Sequence, residues 1–486
     1  MKFLNLILFS LVLIFSSCKK ENRIEDSSSD ILEIENGLQP PYQVKGDSLI
    51  KFNLAERMEH YNVPGVSVAV VDNGKIKWAK GYGTANTTKG TKVDTNTIFQ
   101  AASISKPLSA LAVLKLVENG KLDLDKDVNN YLKDWKVPEN EFTKNEKVTL
   151  RRLLTHTAGM TVHGFPGYKQ TDTFPSVNQV LDAKGNTPRI YVDTIPGSIW
   201  RYSGGGYTVM QKIVEDVSGL SFEEYMDKNI LPAIGMNNST FQQPLPAEYQ
   251  KNASAAYDQE GKMIDGMWHN YPEKAAAGLW TTPRDLVSYC IEVQEILAGK
   301  ENGVLSQQSV DKMLTKHKDD WGLGPALQWE GDSLVFRHGG KNAGYTNNLI
   351  SYANQGKAVV VMTNADNGGK LMGEIIRSVS SYYNWGLNDP EIVEVIEMDE
   401  EELNKFAGKY LLDFEVPDIE NYVIDIEVKD NRLYVNDSNN GDTNVLSPIE
   451  KSKFVDLESG DEVVFNVTGN EVEITWNGRF QFQKIQ

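Results

Sequence analysis

Ser103-Ile104-Ser105-Lys106-Pro107-Leu108 is the stretch on which the reading of the fold turns. A serine and a lysine three residues apart share one face of a helical turn. The amine can then sit beside the hydroxyl and take its proton, the opening step of acyl transfer through a serine ester. Leu108, Leu111, Leu114 and Val117 continue with helical spacing, and Gly120 is a good stop. Pro107 falls in the first turn, where backbone N–H groups lack partners in any case. Ser103 is therefore expected at a helix N-terminus, where the helix dipole favours developing negative charge. The spacing by itself is common: Ser48-Leu49-Ile50-Lys51 has it too, in a segment with no supporting context. Two distant motifs set the first apart, Tyr202-Ser203-Gly204 and His338-Gly339-Gly340.

Around this helix the chain reads as strands at both ends with helices between. Val66 to Val71 and Lys75 to Tyr82 flank Asn73-Gly74, a strong hairpin signal. Helical and loop sequence runs to about residue 290. Strands return at Leu334-Val335-Phe336, Leu349 to Tyr352 and Ala358 to Met362, and an amphipathic helix is expected over about Leu371 to Tyr383. The implied α/β fold is an antiparallel sheet flanked by helices, with a helical insertion, over residues 46–388. Pro390 marks a boundary. Short β-type runs at Tyr422 to Val428, Leu433 to Val435, Val463 to Val467 and Val472 to Trp476 follow, separated by Asp430-Asn431, Gly469-Asn470 and Asn477-Gly478. Residues 398–486 are thus expected to form a small antiparallel β domain, of a size that can fold independently.

The order Ser-x-x-Lys, Tyr-x-Gly, His-Gly-Gly comes with further phrases: Leu153 to Met160 (LLTHTAGM), Pro196-Gly197, Ala277 to Leu286 (AGLWTTPRDL) and Gly322-Leu323-Gly324. Together they resemble the β-lactamase-related serine hydrolase family, which includes class C β-lactamases, DD-carboxypeptidases, D-aminopeptidases and esterases. The resemblance implies Ser103 as nucleophile, Lys106 as its base or proton carrier, and Tyr202 as a partner in proton transfer. A phenolate form of Tyr202 would need nearby positive charge, which Lys106 can supply. His338 stands where the family has a Lys, on a strand lining the cleft, able to polarise a substrate or relay a proton. The backbone N–H groups of Ser103 and Lys341 are the implied oxyanion hole, each donor worth about 3–4 kcal/mol of transition-state stabilisation. Gly339 and Gly340 would let a substrate approach the strand closely. Two positions depart from the family. Gly204 replaces an Asn that holds the substrate amide, and Gly339 replaces a hydroxyl residue that contacts a carboxylate. Both departures shift the expectation from a strong β-lactamase toward an esterase or peptidase cleaving a small-molecule or peptide-like substrate. A weak β-lactamase and a non-catalytic penicillin- or ligand-binding protein stand as the alternatives.

The remaining features bound the context. Lys2 precedes an almost wholly apolar run from Leu4 to Phe15, and Ser16-Ser17-Cys18 follows. Residues 1–17 read as an export signal too short to span a bilayer, and the small residues before Cys18 resemble a bacterial lipobox. That resemblance implies a lipid anchor at Cys18 in the cell envelope, with residues 18–45 as a flexible polar tether. Cys290, the other cysteine of the chain, lies in an apolar helix face and is expected in the core. The net charge of −18 makes nucleic acid a poor partner. His60, His163, His269 and His317 have no metal-ligand spacing, so neither a metal nor any other cofactor is implied. His156 is expected to brace a loop, and Trp280 and Trp321 to pack or to line a pocket.

Overall fold

The computed structural model describes residues 28–413, 421–439, 441–469 and 471–485. The export signal and Cys18 lie outside the described residues. Helix α1 (Ser28–Glu35) and strand β1 (Tyr42–Val44) come first, then helix α2 (Leu54–His60) and the hairpin of β2 (Gly65–Asp72) and β3 (Lys75–Asn86). Asn73 and Gly74 both take positive φ, 51° and 70°, the geometry that a two-residue turn needs to match the twist of its strands. A short edge strand β4 (Thr91–Lys92) lies beside β3. The sheet is completed near the end of the domain by β5 (Ala326–Glu330), β6 (Ser333–Asn342), β7 (Tyr345–Tyr352) and β8 (Ala358–Thr363). Its order is β4-β3-β2-β8-β7-β6-β5, with β2 and β8, from opposite ends of the domain, paired antiparallel.

The insertion between β4 and β5 supplies the helices that bear the motifs. Helix α3 (Ser105–Glu118) follows a 3-10 turn at Ala102–Ile104; α4 (Gly204–Ser218), the short α5 (Lys274–Ala277) and α6 (Pro283–Leu297) come later. These helices and one face of the sheet enclose the main core. Cys290 on α6 is fully buried in it, and burial pushes its thiol up to about 12. Helix α7 (Gly368–Tyr383) covers the other face of the sheet.

One expected boundary is corrected. From Ser28 onward, the segment read as a tether belongs to the domain. Ile34 and Leu38 are buried under α7, Ser378 Oγ donates to the Ile34 carbonyl (2.7 Å), and Arg377 Nε donates to the Gln39 carbonyl (2.8 Å). Strand β1 pairs in parallel with β9 (Glu391–Val393), just past the expected boundary at Pro390. A few apolar side chains in a polar stretch were enough to cover a sheet-facing helix, a tertiary effect that local composition does not report.

The C-terminal residues close into an eight-stranded antiparallel barrel, from Gly408–Leu412 to Phe480–Lys484. It packs on the first domain: Val455 meets Tyr42 and Val393, and Glu458 ion-pairs with Arg57 (2.7 Å) and His60 (3.1 Å). Among the described residues no helix is long and apolar enough to cross a membrane.

Deleting residues 28–45 is expected to lower the unfolding free energy of the first domain by at least ~3 kcal/mol, the scale of burying two aliphatic side chains. Denaturant unfolding of the full and shortened chains measures it; a tether would leave the midpoint unchanged.

Candidate active site

Three elements bring the motif residues together. The turn before α3 carries Ser103, the segment before α4 carries Tyr202, and β6 carries His338. Ala102 takes φ +50°, a conformation rare for a residue with a Cβ, and this sets the direction of the turn that holds Ser103. Lys106 Nζ donates to Ser103 Oγ (2.9 Å) and to the Ala276 carbonyl (2.9 Å). It lies 4.9 Å from the ring centre of Tyr202, whose hydroxyl interacts with Ser103. The Lys106 side chain is wholly buried without a carboxylate partner, and desolvation brings its amine down to about 7. The free-base form of the amine is thus accessible near neutral pH.

Tyr202 moves the other way. Burial raises its phenol well above the ordinary value, against a smaller opposing effect of the Ser103 hydrogen bond. The expected charge support from Lys106 fails because burial discharges the amine first. The raised phenol favours Tyr202 as a neutral hydroxyl that can pass a proton.

His338 is buried, and burial, with the nearby Lys106, brings its imidazole down to about 3. Its Nδ1 lies 2.6 Å from the Gly339 carbonyl, so Nδ1 bears the proton and donates. Nε2 is then a buried lone pair with no partner. The neutral ring accepts a hydrogen bond there and cannot polarise a substrate as a cation. His156 has the opposite tautomer: the Ser203 N–H donates to its Nδ1 (3.0 Å), and its ring lies 4.2 Å from that of Tyr202. It braces the tyrosine loop. Trp321 packs against both His338 and Tyr202, at 5.6 and 5.8 Å between ring centres.

The three glycines have different roles from those expected. A Cβ on Gly340 would fall 2.2 Å from the Ala101 carbonyl, so this glycine lets β6 approach the nucleophile turn, not a substrate. A Cβ on Gly204 would meet Phe165 at 2.7 Å and the His163 carbonyl at 3.0 Å. Gly204 is buried packing, and the loop at 163–165 fills the space of the missing Asn side chain. Gly339 alone of the three is exposed, and a Cβ there would meet only the Asn347 carbonyl, at an ordinary 3.8 Å. Strand β5 ends opposite Arg337, so residues 338–342 have no neighbouring strand on that side. Lys341, with its proposed oxyanion N–H, lies in this stretch.

Reading the sequence missed the role of one segment. Ala275 to Leu279 runs beneath the site and is bonded by the nucleophile turn, α3 and β6. The Ala275 carbonyl accepts from Ser109 Oγ (3.0 Å), that of Ala276 from Lys106, that of Ala277 from Asn342 Nδ2 (3.1 Å), and that of Leu279 from the Ala101 N–H (2.8 Å). The Leu279 N–H donates to Ser105 Oγ (3.0 Å). Part of this segment stands in the AGLWTTPRDL phrase, but small apolar residues give no hint that their carbonyls are the functional groups. Cys290, the second SxxK pattern at 48–51 and Trp280 take no part; Trp280 is core.

A serine hydroxyl beside a buried lysine and a half-buried tyrosine, at the junction of a helical insertion and an antiparallel sheet, defines a class of acyl-transfer site. Residues 51–381 match the family model described as Beta-lactamase, and the chain belongs to that family. It is 28% identical over 240 residues to Protein flp of Staphylococcus aureus (strain MRSA252), covering 49% of this chain and 44% of the relative. It is 24% identical over 284 residues to the teichoic acid D-alanine hydrolase of the same strain, covering 57% and 66%. The chain thus spans under half the length of the first of these relatives. Among solved structures, the octameric penicillin-binding protein homologue from Pyrococcus abyssi superposes with a TM-score of 0.61 at 24% identity, covering 89% of this chain and 98% of that one. The D-amino acid amidase from Ochrobactrum anthropi SV3 gives 0.56 at 19%, covering 68% and 96%. These likenesses establish the fold, the C-terminal barrel included.

Lys106→Met keeps the volume and removes a buried amine. It is expected to raise the thermal midpoint by ~2–4 °C while abolishing reaction at Ser103. Gly340→Ala is expected to lower the midpoint by a similar amount through the Ala101 contact. Calorimetry of both variants checks the pair.

Proposed function

We propose that the protein is a serine hydrolase that cleaves an ester or amide through an acyl-Ser103 intermediate. The observation that carries this reading is the 2.9 Å contact between Ser103 Oγ and a lysine amine brought down to about 7. Free-base Lys106 takes the Ser103 proton as Oγ attacks the carbonyl carbon. The backbone N–H groups of Ser103 and Lys341 hold the resulting oxyanion. The C–O or C–N bond then breaks, and the leaving group takes its proton from Lys106 by way of the Tyr202 hydroxyl. Water attacks the acyl ester in the second half; Lys106 is again the base, and the free Nε2 of His338 accepts from that water or from Tyr202. Both groups work in their neutral forms, and the amine of Lys106 lies near the operating pH.

Relatives named for D-alanine hydrolysis and D-amino acid amide hydrolysis support an aminoacyl ester or amide as the substrate class. The filled space beside Gly204 favours this over lactams, since no amide side chain stands there to hold a lactam. An export signal with a lipid anchor at Cys18 would place the enzyme in the cell envelope.

A fluorophosphonate is expected to form one adduct, mapped by mass spectrometry to Ser103. Ser103→Ala is expected to lose the adduct and at least ~10³-fold of any ester or amide turnover. Folded protein that gives no adduct at Ser103 would overturn the reading. Gly204→Asn is not expected to create lactam turnover, because Phe165 occupies the space the new side chain needs.

A further inference from the structure

A cavity of about 570 Å³ opens away from the serine site, a volume in the range of small-molecule sites. Its floor is apolar: Leu54 and Met58 of α2, Val63 just after it, and Tyr82 of β3. Leu54, Met58 and Val63 belong to the core on the α7 face of the sheet, whereas the helices that bear the nucleophile pack on the other face. The cavity is therefore separate from the cleft at Ser103.

Its rim is acidic. Glu35 at the end of α1, Glu59 near the end of α2 and Glu260 all line it. The cations of the neighbouring elements are held by other carboxylates. Lys80 pairs with Glu35 (2.6 Å), Arg57 with Glu374 (2.6 Å) and Glu458 (2.7 Å), and His60 faces Glu458 (3.1 Å). Lys370 lines an adjoining crevice that shares Asn62 and Glu260 with the cavity. Among the described residues neither Glu59 nor Glu260 has an ion-pair partner. Both stand at one junction: the Asn62 N–H donates to the Glu59 carbonyl (3.1 Å), and a Cβ on Gly261, next to Glu260, would fall 3.5 Å from the Asn62 Cβ.

The cavity wall already holds one group of the kind it suits. Lys80 rests its ammonium on the Glu35 carboxylate, 5.1 Å from the centre of the Tyr82 ring. A carboxylate beside an aromatic face is a pairing that retains organic ammonium groups. Glu59 and Glu260 offer the charge for a second such group over an apolar floor. A hydrated metal ion would leave that floor unused, and an acid would meet three carboxylates.

We propose that this cavity is a binding site for an organic ammonium ion with an apolar body. The head sits between Glu59 and Glu260, and the body lies against Leu54, Met58, Val63 and Tyr82. It is a second site, apart from the serine chemistry.

Calorimetric titration of the full chain with hexylammonium, hexanol and hexanoate tests this, since the three share one chain and differ in the head group. Hexylammonium is expected to bind at least ~tenfold tighter than either of the others at low salt, with the advantage shrinking as ionic strength rises. The double change Glu59→Gln and Glu260→Gln is expected to bring hexylammonium down to the level of hexanol. Ala55→Trp sets a large ring at the cavity wall and is expected to weaken hexylammonium and hexanol alike. Ala55 and both glutamates are exposed, so the variants are expected to fold, which their thermal midpoints without ligand check. Should Ala55→Trp fail to fold, the glutamate pair decides alone. Equal affinity for hexylammonium and hexanol, a preference that survives the double glutamate change, or no binding of any of the three at millimolar concentration overturns the proposal. None of these outcomes bears on the hydrolase reading, because no variant touches the serine site.

Discussion

The rest of the site depends on one unfavourable burial, the amine of Lys106 enclosed without a carboxylate. A charged lysine there would cost several kcal/mol, so the group sheds its proton near neutral pH. That single fact sets the roles of its neighbours. On the proposed mechanism it supplies Ser103 with a base and leaves His338 as a lone-pair acceptor. A carboxylate beside Lys106 would hold its amine charged and unable to take the Ser103 proton.

Holding such a group requires a firm surround, and the segment from Ala275 to Leu279 provides it. Its carbonyls accept from Lys106, Ser109, Asn342 and the Ala101 N–H, and so tie α3, the nucleophile turn and β6 to one short stretch of backbone. Gly340 closes the remaining gap by letting the strand touch Ala101. Pairing of β2 with β8 brings the two ends of the domain together, which fixes β6 relative to the inserted helices. The fold thus positions three distant motifs through backbone contacts more than through side chains.

What could be read in advance follows from this. Hairpin chemistry at Asn73-Gly74, the spacing of Leu108 to Val117 and the β-type runs after residue 420 are local signals, and the strands and helix they imply are present. The motif residues were legible because their chemistry demands particular side chains. The carbonyl scaffold was not, since any residue has a carbonyl. Gly204 and Gly340 looked like substrate contacts, because a glycine marks a close approach without saying what approaches. Burial was equally hidden: the same tyrosine is a phenol or a phenolate according to neighbours about a hundred residues away. Helix α1 and four barrel strands were missed because their patterns are short and gain meaning only when another element covers them.

The central claim is that free-base Lys106 activates Ser103. The rate at which a neutral fluorophosphonate labels Ser103, followed from pH 5 to 10, tests it directly, because the reagent itself does not titrate. The rate is expected to climb about tenfold per pH unit and level off above an inflection near 7. A rate that stays flat across the range, or that rises steadily toward pH 10 as an ordinary lysine would dictate, would contradict it.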